Sequence, residues 1–153
     1  MIYSIIQKFA RIAYNSKKYN VAKFLASCIR HSKKHNYWAL EILSRLNYNV
    51  GEYQHCLHNL EEINTHYHMT EKMIFLKARA NYNLGLFVDA ECLIRELGLM
   101  QYSSKRASFL IERICYRMGR YLESIEHCKL LIQAKASEKE LLFRLELSAE
   151  RGN

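Results

Sequence analysis

ANYNLGLFVDAECL, residues 80–93, sets one of the chain's five glycines, Gly85, between two segments with helical apolar spacing. Phe87 follows two residues on and Ala90 five. The pattern recurs at a fixed interval of 34 residues, as Gly51, Tyr53 and Cys56, as Gly119, Tyr121 and Ser124, and as Lys17, Tyr19 and Ala22. A glycine reaches φ > 0 without a Cβ penalty, so it ends one helix and turns the chain back into the next. Lys17 lacks that freedom, and a strained or differently shaped turn is expected there.

The other columns read as core. Tyr19, Tyr53, Phe87 and Tyr121 are expected to fill the wedge between paired helices, where a large rigid ring buries the most area. Ala22, Cys56, Ala90 and Ser124 are small because helices crossing at about 8–10 Å leave little room. Ala26, Leu60, Ile94 and Cys128, with Ile29, Ile63, Leu97 and Leu131, continue the same face. A 34-residue period of this kind resembles the tetratricopeptide repeat, an antiparallel helix pair per unit. The expected fold is therefore an all-α solenoid of four units, near residues 3–36, 37–70, 71–104 and 105–138, forming a single array over 1–153. A closing helix is expected near 137–151, opened by a Ser137/Glu140 capping box and turning Leu141, Leu142, Leu145 and Ala149 onto the last unit. The proline that commonly ends such units is missing, with Lys34, His68, Tyr102 and Ala136 in its place.

Two further columns do not read as core. Arg11, Arg45, Arg79 and Arg113 stand three residues before Tyr14, Tyr48, Tyr82 and Tyr116, so each pair shares a helix face. The family resemblance implies that both columns point into the concave groove. There they would suit a segment carrying acids and apolar anchors. The same spacing also serves stacking, each arginine on a neighbouring tyrosine or beside a carboxylate such as Glu41 or Glu112. The carboxylate clamp of chaperone-associated members has no counterpart, since Gln7, Ile42 and Leu76 stand at its sites.

A narrower likeness runs over roughly residues 3–95. Phe24-Leu25-Ala26, Trp38-Ala39-Leu40 and Ile74-Phe75-Leu76-Lys77-Ala78-Arg79 are similar to the N-terminal repeats of scaffold subunits of the anaphase-promoting complex, of the cell division cycle protein 27 and 16 kind. That resemblance implies a non-catalytic scaffold of a nuclear ubiquitin ligase, present in nucleus and cytoplasm, which forms a homodimer through its first repeat and binds other subunits. Ile2, Ile5, Ile6 and Phe9 have no outer neighbour in a lone array and are the expected dimer interface. Acids such as Glu61, Glu62 or Glu71 of the second copy would meet the basic first unit. The chain departs from the family in size: those scaffolds carry many more repeats than 153 residues allow.

Charge is unevenly placed. Residues 1–40 hold eight Lys/Arg and no acid, so the whole formal excess of +8 is N-terminal. The start, MIYSIIQKFARIAYNSKKY, has the composition of a mitochondrial presequence, but the repeat begins within it. A generic adaptor for an acidic partner and an RNA-binding helical array are the alternatives; uniform groove columns argue against a base-by-base RNA reader. Five widely spaced cysteines without a CxxC point to a reducing compartment rather than to a disulfide framework or a zinc knuckle. His55, His58, His66 and His68 lack the spacing of a metal site, and no phosphate loop, paired-carboxylate or nucleophile signature appears. No cofactor, metal, membrane span or catalytic activity is expected.

Overall fold

The computed structural model describes residues 2–32, 36–99, 105–133 and 138–152. The described residues form nine α-helices and no strand: α1 Ile2–Asn15, α2 Tyr19–Ile29, α3 Asn36–Asn49, α4 Tyr53–His66, α5 Glu71–Asn83, α6 Phe87–Leu99, α7 Lys105–Arg117, α8 Tyr121–Gln133 and α9 Glu138–Gly152. The chain groups into two compact units, Met1–Ala80 and Asn81–Asn153. In the first, α1 packs on α2, α2 on α3 and α3 on α4; in the second, α6 meets α7, α7 packs on α8 and α8 on α9.

The turns explain why helices begin where they do. Gly51, Gly85 and Gly119 lie at φ of 83°, 80° and 75°. At each, the N–H of the following residue bonds back to the carbonyl five residues earlier in the Schellman arrangement: Glu52 to Asn47 at 2.8 Å, Leu86 to Asn81 at 2.9 Å, Arg120 to Cys115 at 2.9 Å. Lys17 takes φ 58° and Lys18 bonds to Ala13 at 2.9 Å, so the first turn has the same shape as the others despite its side chain. The hydrogen bonding around the turn enforces a conformation that costs a non-glycine residue about 1–2 kcal/mol.

After each turn the small residue donates the first intrahelical bond: Ala22 to Lys18, Cys56 to Glu52, Ala90 to Leu86 and Ser124 to Arg120, at 3.0–3.1 Å. All four small residues are fully buried, and the two apolar columns behind them are buried at every position. The wedge rings differ from expectation. Tyr19, Tyr53, Phe87 and Tyr121 are only half-buried, and each leans on the tyrosine five residues earlier, with centroids 6.0, 5.4, 5.6 and 5.6 Å apart. An inclined aromatic pair, tilted at the first three turns and edge-on at the last, therefore bridges each turn.

The closing helix α9 lies within residues 138–152, while Ser137 and the side chains of Glu140 and Leu141 fall outside the described residues. Its inward residues are only in part those expected. Leu145 packs on Cys128 and Leu131, but Ser148, not Ala149, is buried, and Leu142 faces solvent. Ser148 Oγ lies 3.2 Å from Ser124 Oγ, which donates to the buried Glu112 carboxylate at 3.1 Å. Glu112 occupies a column whose other members, Ala10, Ser44 and Ala78, are small and fully buried, so the last unit carries a polar junction where the others carry close contact.

Candidate functional site

The four ladder arginines have different surroundings, and the residue four positions earlier explains much of the difference. Arg45 follows Glu41 and pairs with it at 2.6 Å, an i,i+4 contact along α3. Arg79 and Arg113 follow Phe75 and Phe109 and have no such partner on their own helix. Instead, the Arg79 guanidinium lies 4.4 Å from the Tyr48 ring centre and 5.9 Å from that of Phe75, and Arg113 lies 5.4 Å from that of Tyr82. Arg11, after Gln7, is exposed on α1. The tyrosines Tyr14, Tyr48, Tyr82 and Tyr116 are half-buried and hold the wedge rings already described.

Two arginines outside the expected ladder take the same posture in the second unit. Arg117 lies 5.3 Å from the Phe87 ring centre and Arg151, on α9, 5.4 Å from that of Tyr116. Arg117 was legible as a cation one residue after the tyrosine column, and Arg151 stands one 34-residue period beyond it, the register that the packing of α9 continues. Arg95 and Arg120 of that unit both reach the nearly buried Glu91 instead, at 2.7 and 2.6 Å.

In the first unit the expected interface forms one stripe along α1. Ile2, Ile5 and Phe9 are 72, 48 and 57% exposed, whereas Ile6 is half-buried and turns toward the Ala10 and Ala13 side of the helix. Ile12, not anticipated, extends the stripe at 59%, and Val21 and Phe24 expose further apolar surface on α2. Positions i, i+3, i+7 and i+10 share a helix face. The acids expected to serve a second copy are partly engaged within the chain. Glu62 accepts from Arg30 at 2.6 Å and Glu61 pairs with Lys77; Glu52, outside that set, accepts from Lys23 at 2.7 Å. Some of the basic first unit is thus neutralised by its own second helix pair.

Among the described residues no group of three His, Cys, Asp or Glu side chains could hold a metal ion. His55 is exposed, while Cys56 beside it is fully buried, and burial pushes its thiol up to about 12, with the charge of Arg79 opposing. No helix among the described residues is long and apolar enough to cross a membrane. Neither protein-family models nor curated protein sequences give a significant match to the chain.

Proposed function

We propose that the chain is a non-catalytic interaction scaffold of the tetratricopeptide type, built of four helix pairs and a closing helix, and that it pairs with a second copy through α1. The observation that carries the self-association is the stripe of Ile2, Ile5, Phe9 and Ile12, four large apolar side chains left to solvent on one helix face. Contiguous exposed apolar surface of this kind marks an interaction site. A second copy is the favoured occupant because a stripe on one straight helix is self-complementary under a two-fold axis. The internal pairs of Lys23 with Glu52 and Arg30 with Glu62 lower the repulsion between two basic first units. The recurrence of one turn at 34-residue spacing supports the tetratricopeptide assignment.

The narrower role, a scaffold subunit of the anaphase-promoting complex in nucleus and cytoplasm, rests on the sequence resemblance alone. Co-purification of the tagged chain with that ligase's other subunits tests it. The self-association itself is tested by equilibrium sedimentation over a range of concentrations. A mass rising toward twice 18.2 kDa is expected. A mass of one chain at every concentration would overturn it.

A further inference from the structure

In the second unit, Tyr82, Arg113, Tyr116, Arg117, Phe143 and Leu147 line an open hollow of about 460 Å³, with Glu112 also in its lining. Its chemistry is specific. Arg113 and Arg117 are exposed, and each guanidinium is held over an aromatic ring, of Tyr82 and Phe87 respectively. Arg151 lies over the ring of Tyr116. None of the three has a carboxylate partner among the described residues, although the same unit gives Arg95 and Arg120 a shared one in Glu91. The Glu112 carboxylate is fully buried and accepts from Ser124, so the charge presented to solvent is that of the arginines.

An arginine stacked on a ring keeps its plane fixed and its edge N–H groups available, which prepares it for a carboxylate. Beside these cations, Phe143 leaves 61% of its surface to solvent, a cost with no return in an isolated chain. We infer that this hollow binds a peptide segment of a partner protein, with an aromatic side chain seated against Phe143 and Leu147 and flanking acids paired to Arg113 and Arg117. This deepens the scaffold reading, on which it rests, by naming the chemistry of one partner. The uncompensated positive charge is the reason to choose an acidic peptide over a purely apolar one.

The probe is a fluorescein-labelled peptide with a central phenylalanine flanked by glutamates, followed by anisotropy on the full chain. Saturable binding is expected. Arg113→Gln and Arg117→Gln should each weaken it about tenfold, the worth of one charge-assisted bond. Replacing the peptide's phenylalanine with serine should weaken it at least as much, a change that leaves the protein's folding untouched. Arg95→Gln, whose arginine is engaged by Glu91, should leave binding unchanged. Absence of saturable binding, binding by the two arginine variants as tight as by the wild type, or binding of the serine peptide as tight as of the phenylalanine peptide would overturn the proposal. Displacement of the peptide by polyuridylate as effective as by unlabelled peptide would also overturn it, since the hollow would then read charge alone. A monomeric chain that binds the peptide would remove self-association and leave this site standing; a dimer that ignores the peptide would do the reverse.

Discussion

Arg120 donates from its guanidinium to Glu91 at 2.6 Å, tying the turn before α8 to the second turn of α6 across 29 residues of chain. Glu91 also accepts from Arg95 at 2.7 Å, and only 11% of its side chain is exposed. Burial raises the pKa of this carboxyl, but the hydrogen bonds and charges of the two arginines outweigh it and hold the group below its ordinary 4.5. Glu91→Gln is expected to cost about 1–3 kcal/mol in a urea titration at neutral pH. A depressed folded-state pKa stabilises above the unfolded value and is lost as pH falls through the folded one. The stability difference between wild type and Glu91→Gln should therefore be constant above about pH 5.5 and shrink as pH drops below 4.5.

The turns make a paired prediction. A Cβ added at Gly85 meets no atom within 4 Å, so Gly85→Ala tests backbone conformation alone, and φ of 80° should cost it about 1–2 kcal/mol. Lys17→Gly relieves the same strain at φ 58° and should raise the midpoint of thermal unfolding. Opposite signs at matched positions distinguish turn strain from a general effect of composition.

How far these features could be read from the sequence depends on repetition. The turn glycines, the small column and the two apolar columns were legible because four copies of the same position agree, and the structure buries all twelve of the core residues they named. The arginine column agreed in identity but not in environment: Glu41 before Arg45 and phenylalanines before Arg79 and Arg113 send identical side chains to different partners. The helix α9 occurs once and is apolar on more than one face, so pattern alone pointed to Leu142 and Ala149. The structure instead buries Ser148, because the Ser124 and Glu112 beneath it offer polar partners.

That polar junction is itself testable. Ser124→Ala removes a donor to a fully buried carboxylate and should cost about 1–3 kcal/mol in denaturant unfolding. Ala22→Ser, the reverse change at the corresponding buried position of the first repeat, has the small, fully buried Ala10 in place of Glu112. It should therefore gain nothing.

Cysteine reactivity follows burial. Cys28 and Cys92 are exposed, whereas Cys56, Cys115 and Cys128 are buried, and burial raises the thiols of Cys56 and Cys115. Titration with a disulfide reagent at pH 8 should modify two thiols promptly and the other three only after unfolding.

The claim that the chain pairs through α1 is tested most directly by light scattering on Ile5→Asp/Phe9→Asp beside the wild type. Both side chains are about half exposed, so the changes should leave the helical circular dichroism intact. The account predicts a wild-type mass near twice 18.2 kDa that falls to 18.2 kDa in the variant. A variant that keeps the wild-type dimer would contradict it, as would a wild type that is a monomer throughout.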